Sequence, residues 1–159
     1  GITGALESET PIGALVLPEV VVNSETGSEH RPARLGDGVP HGMMWTTNSL
    51  TTDLDELARL RARGVVSLDM ETAAIPALCE ARGIPWSVFR GISDFAGEGL
   101  VDDALFALTN PDGTADPTAL ARYLEQNPDR LAILQRLAKD TEKATEGAAA
   151  AAIAACAAL

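Results

Sequence analysis

Apolar positions along this chain come in short runs broken by glycine, proline and charge, and the spacing inside each run predicts an element. Leu15-Val16-Leu17 and Val20-Val21-Val22 flank Pro18. They predict one interrupted strand or two short ones, because proline cannot donate to a ladder. Residues 23–42 turn polar and rich in Gly, Pro, Ser and Glu, which predicts a surface loop. Met43-Met44-Trp45 then predicts a strand ending at Thr46-Thr47-Asn48. Thr52 or Asp53 can cap a helix reaching about Arg63, with Asp55 and Glu56 in its first turn and Gly64 as its stop.

Residues 64–97 are the most informative stretch. Val65, Val66 and Leu68 predict a strand that runs into Asp69-Met70-Glu71. From Ala73 the pattern turns helical and apolar almost all round, so this helix should be well buried. Proline is tolerated only in a first turn, so Pro76 places the helix start near Ala73 and aims the N–H groups near Glu71 and Thr72 at any site there. Gly83 ends the helix, and residues 86–92 form a second apolar run that finishes at Ser93-Asp94. Strand, helix and strand read as a βαβ unit with a carboxylate cluster at the carboxyl end of each strand. Open parallel sheets bind ligands at that edge. The fold class is therefore α/β. Further on, Asn110-Pro111-Asp112-Gly113 predicts a turn, Asp116-Pro117 and Asn127-Pro128 predict helix starts, and residues 141–158 predict a long helix.

Composition narrows the partners. The formal net charge of −11 would be repelled by nucleic-acid backbones and by anionic membranes, whereas a small ligand in a pocket is unaffected by that average. No signal peptide or membrane span is visible, and the alanine-rich end is too short and too weakly apolar to cross a bilayer. Cys79 and Cys156 lack metal-type spacing and read as buried thiols of a reducing, cytoplasmic compartment. His30 and His41 are too few and too far apart for a zinc site, so the chain calls for no metal and no cofactor.

The acidic clusters carry the chemistry. A carboxylate at a helix N-terminus, such as Glu71, is held ionised by the dipole and by N–H donors. Ionised, it only accepts hydrogen bonds, and two adjacent sugar hydroxyls suit it. Met70 offers a flexible apolar surface for a ribose face. Asp94, set among apolar neighbours beside Ser93, should have a raised pKa and serve as a general acid. Strand alternation puts Arg90, Ile92 and Asp94 on one side, and a buried guanidinium at Arg90 needs a carboxylate or an anionic ligand. Taken singly, Glu71 and Asp94 read equally well as helix caps.

Leu68-Asp69-Met70-Glu71-Thr72-Ala73-Ala74-Ile75, followed by Arg90-Gly91-Ile92-Ser93-Asp94-Phe95-Ala96, resembles the paired signature of the nucleoside phosphorylase superfamily. Within that superfamily the motifs most resemble those of the methylthioadenosine/S-adenosylhomocysteine nucleosidases. Gly1-Ile2-Thr3-Gly4-Ala5-Leu6 and the apolar run after it are similar to that family's glycine-rich turn and following strand. The resemblance implies a three-layer αβα fold around a central mixed sheet, of which the chain forms the C-terminal portion. It further implies one partial domain over 1–159, mostly helical over 97–159.

The activity implied is cleavage of the N-glycosidic bond of a purine nucleoside or thio-nucleoside through an oxocarbenium-like ribose. Carried over by position, Glu71 binds the ribose 2′- and 3′-hydroxyls, with Asp69 counted among the sugar-binding residues, and Met70 packs on the sugar. Asp94 protonates the purine N7 edge, Ser93 orients it, and Arg90 helps position the nucleophile. Thr3 and Gly4 line the ribose, and Leu50 stands where the family has a base-stacking aromatic. Ile2 replaces a serine usual in phosphorylases, which favours water over phosphate as nucleophile. A phosphate-dependent phosphorylase, a nucleoside sensor without turnover and a piece kept only for assembly are the alternatives. The implied partners are a nucleoside, further copies in a homo-oligomer, and a segment supplying the family's N-terminal strands.

Overall fold

A computed structural model describes residues 1–99, 104, 107, 108, 110, 114 and 116–158. Seven strands form one sheet: β1 (Ile2–Ala5), β2 (Leu15–Val16), β3 (Val20–Asn23), β4 (Glu29–His30), β5 (Met43–Thr46), β6 (Val65–Asp69) and β7 (Arg90–Phe95). Four helices of the described residues accompany it: α1 (Leu54–Ala62), α2 (Ala74–Ala81), α3 (Pro117–Gln126) and α4 (Arg130–Ala157). The strand order is β2-β7-β1-β6-β5-β3-β4. β3, β5 and β6 run parallel, as do β1 and β7, while β1 meets β6 antiparallel, so the sheet is mixed.

The sheet must curl. Pro18 splits the first apolar pattern into β2 and β3, which stand five places apart in the order. Only residues 17–19 join them, a reach of about 14 Å, whereas a flat sheet would part them by roughly 24 Å. One core, built on Val21, Met44, Ala5 and Ile92, lies on one face. A second, built on Leu6, Leu57, Leu60, Val65 and Leu68, lies under α1. Alternate residues such as Met43 and Met44 point into different cores, as a strand covered on both faces requires.

Local signals placed several elements. Asp53 caps α1 by accepting from the Glu56 amide at 2.8 Å, and Gly64 takes the left-handed conformation (φ 85°) that stops it. Asp116 caps α3 through the Thr118 and Ala119 amides, with Pro117 as the first helical residue.

Other expectations need correcting. Residues 64–97 do not form a parallel βαβ unit, because β1 threads between β6 and β7 and those two strands run antiparallel. The register also shifts between Thr3 and Gly4, which face Ile92 and Asp94, so Ser93 is an extra residue in β7. Strict alternation from Arg90 to Asp94 is thereby broken. β7 starts at Arg90 rather than at residue 86. The polar stretch after Asn23 is not all loop, for β4 pairs back on β3 through a turn in which Asn23 Oδ1 accepts the Glu25 amide. α2 buries Pro76 but leaves Ile75 57% and Leu78 51% exposed, since no described element covers that face. α4 begins at Arg130, not Thr141, and is a single helix of 28 residues. Cys79 is half-buried and Cys156 exposed, so neither is a core thiol. The turn expected at Asn110-Pro111-Asp112-Gly113 reaches into residues outside the described ones.

Candidate active site

α4 crosses the sheet at Gly91, where a Cβ would lie 2.2 Å from the Ala144 carbonyl oxygen. Buried alanines at 144 and 148 let the helix settle there. Upstream on the same helix, Leu137 and Thr141 then hang over the ends of β1 and β7. They close one side of a cavity of about 340 Å³. That size suits a nucleoside-sized ligand.

β1 forms the cavity floor through Ile2, Thr3 and Gly4. Thr3 is buried and its hydroxyl donates to the Leu68 carbonyl at 2.7 Å, so it ties β1 to β6 rather than offering itself to a ligand. At Gly4, a Cβ would stand 3.2 Å from Asp94 Oδ2. The bare glycine lets the carboxylate lie against β1. Ser93 Oγ donates to Asp94 Oδ1 at 2.6 Å and fixes its plane. Asp94 is thus half-buried and hydroxyl-bonded, not enclosed by apolar side chains alone.

Across the floor stand Met70, 36% exposed, and Glu71, whose side chain is 70% exposed. Glu71 Oε2 accepts from Arg90 Nη1 at 3.1 Å. Asp69 lines the same wall, but its side chain is 1% exposed and its oxygens face inward. The amides expected to point at a ligand are absorbed locally. The Thr72 amide donates to Asp69 Oδ2 at 2.8 Å and the Ala73 amide to Thr46 Oγ1 at 3.2 Å. Leu50 lies on the remaining wall with Thr47, Ser49 and Thr51.

The cavity therefore gathers eight of the nine residues expected from the sequence: Thr3, Gly4, Leu50, Asp69, Met70, Glu71, Ser93 and Asp94. Arg90 is not in its lining and sits behind Glu71, bonded to protein oxygens. Sequence reasoning missed Leu137 and Thr141. No local pattern marks them, since their place depends on the Gly91–Ala144 crossing. Among the described lining residues there are three carboxylates and no Lys, Arg or His.

Known proteins bear on this arrangement. No curated protein matches the chain. Among solved structures, the chain is similar to the 5′-methylthioadenosine nucleosidase of Arabidopsis thaliana, with TM-score 0.60 and 19% identity over 96% of this chain and 58% of that one. It is also similar to the 5′-methylthioadenosine/S-adenosylhomocysteine nucleosidase of Neisseria meningitidis in complex with methylthio-immucillin-A (TM-score 0.56, 16% identity, 94% and 66% covered). A third likeness is to the futalosine hydrolase of Helicobacter pylori (TM-score 0.54, 19% identity, 82% and 66% covered). The chain spans less than two thirds of the length of each. At these identities the likeness establishes the fold, a three-layer α/β arrangement around a mixed sheet. A family model described as the phosphorylase superfamily matches residues 29–125, more than half of the chain, and on that match the chain belongs to the phosphorylase superfamily.

Proposed function

We propose that this chain carries the ribose- and base-binding wall of a nucleosidase. In this reading the protein hydrolyses the N-glycosidic bond of a purine nucleoside or thio-nucleoside, with water as nucleophile. Glu71 accepts the 2′- and 3′-hydroxyls and Met70 lies on the sugar face, because a carboxylate accepts two adjacent donors and a thioether is apolar and adaptable. Asp94, steadied by Ser93, hydrogen-bonds the N7 edge of the base. Proton transfer there turns the base into a neutral leaving group as C1′ becomes cationic. Arg90 holds Glu71 from behind and so orders the corner where water must approach.

The observation that carries the reading is one cavity with the Met70–Glu71 pair on one wall and the Ser93–Asp94 pair on another, separated by the bare backbone of Gly4. Its described lining favours hydrolysis over phosphorolysis, since a phosphate dianion would meet the carboxylates of Glu71 and Asp94 and no cation. Binding without turnover is the second reading, favoured by Ile2 in the cavity floor, where a side-chain hydroxyl that could hold a nucleophile is replaced by an apolar group. Base release from 5′-methylthioadenosine by the native protein and by Asp94→Asn decides between them. An enzyme releases adenine and loses roughly 100-fold or more in kcat on the substitution. A sensor binds the nucleoside and releases nothing in either form.

A homo-oligomer belongs to the same proposal, supported by the exposed Ile75 and Leu78 of α2 beside the Met70 rim. Sedimentation at micromolar concentration should give a mass above that of one protomer, and a monomer would remove this part. No described helix is long and apolar enough to cross a membrane. A cytoplasmic setting is proposed on the two free thiols.

A further inference from the structure

We propose that Asp69 is a positioning residue for the sugar clamp: it fixes Arg90 and the turn into α2, and through them the carboxylate of Glu71. This inference rests on the nucleosidase reading for the identity of what Glu71 binds, but its geometry stands without that reading.

Asp69 ends β6 with its side chain 1% exposed, and both oxygens are committed to protein donors. Oδ1 accepts from Thr46 Oγ1 of β5 at 2.6 Å. Oδ2 accepts from the Thr72 amide and from Arg90 Nη2, each at 2.8 Å, and from the Thr72 hydroxyl. A carboxylate has about four acceptor directions, so these bonds leave nothing substantial for a ligand. Asp69 lies in the wall as a buried joint rather than a contact.

The joint gathers three further elements. Thr46 passes the connection on by accepting the Ala73 amide at the start of α2. Thr72 Oγ1, which donates to Asp69, accepts from Arg90 Nε at 2.8 Å. Arg90 Nη1 donates to the Ile2 carbonyl of β1 at 2.6 Å and to Glu71 Oε2 at 3.1 Å. The guanidinium is rigid and planar, so fixing Nε and Nη2 fixes the direction of Nη1. Glu71 is otherwise largely exposed and free to turn. Its place at the rim is therefore set at second hand by Asp69. Holding a binding group by buried neighbours removes the ordering cost at the moment of binding.

The test compares the native protein with Asp69→Asn, which keeps the shape and removes the charge. The first readout is the dissociation constant for adenosine and for 2′,3′-dideoxyadenosine. The dideoxy compound cannot use Glu71. Adenosine should weaken by about 10- to 100-fold, the range for a hydrogen bond to a charged group, while the dideoxy compound changes less than about twofold. Equal loss for both overturns the proposal, because a general structural defect would do that. The second readout is hydrogen exchange at Arg90 Nε–H by NMR, which needs no ligand. Exchange should be slow in the native protein and at least about tenfold faster in Asp69→Asn. Unchanged exchange also overturns the proposal. Should the native protein bind neither nucleoside, the nucleosidase reading fails and the Arg90 exchange alone decides this inference. If Asp69→Asn does not fold, Thr46→Val removes the Oδ1 donor with less disturbance, and the same two readouts apply, with Thr46→Ser expected to restore both.

Discussion

Asp94 and Glu71 differ in how the chain supports them, and that difference predicts different kinetic consequences. Asp94 is half-buried, braced by Ser93 Oγ and lying against Gly4. Gly4→Ala would place a methyl 3.2 Å from Oδ2 and displace the carboxylate. Misplacement of a catalytic group by up to 1 Å costs up to about 100-fold, so kcat should fall with KM nearly unchanged. Steady-state kinetics would show the split. Glu71 is exposed at the rim and, in the proposed reading, holds the diol in ground and transition states alike. Glu71→Gln should therefore raise KM, by about 10- to 100-fold for a lost charge-assisted bond to the diol. A variant that lowered kcat alone would contradict the clamp assignment. At this scale the sequence was informative wherever a cavity-lining residue sits in a contiguous motif, as Asp69, Met70, Glu71, Ser93 and Asp94 do. It was silent on Thr46 as a partner of Asp69, because side-chain hydrogen bonding between separate strands leaves no spacing to read, whereas Thr72, three residues on from Asp69, bonds it within the local turn.

At the scale of elements, close approach of α4 to β7 builds the cavity roof. Gly91→Ala would push a methyl into the Ala144 carbonyl, where backbone must move. The expected loss is about 1–3 kcal/mol of stability, as for other overpacked sites, read as a lower Tm. Because Leu137 and Thr141 ride on the same helix, ligand affinity should fall with it. Asp116→Ala, by contrast, removes only the α3 cap and should cost about 1 kcal/mol without touching the cavity. Helix ends were legible from Asp53, Gly64, Asp116 and Pro117, since caps are local. A helix start was likewise legible at Asn127-Pro128, but not that one helix runs on unbroken to Ala157, because residues 130–140 mix charge and leucine while the alanine-rich stretch after them looks more helical. The separation of β6 from β7 by β1 escaped for a deeper reason. Alternation shows that a strand exists, not that β1 inserts between two others.

For the molecule as a whole, the curled mixed sheet brings a net charge of −11 together with a cavity whose described lining is acidic. A chain so charged repels phosphate at long range as well as within the site. The three residues between β2 and β3 bring the flanks of the sheet together and help set Ile2, Thr3 and Gly4 as a floor shared by both carboxylate walls. Hydrolysis by the proposed site is best checked by following product formation from 5′-methylthioadenosine across a phosphate titration. Adenine and the free sugar should form at a rate that does not rise with phosphate. A sugar 1-phosphate formed only when phosphate is present would contradict it.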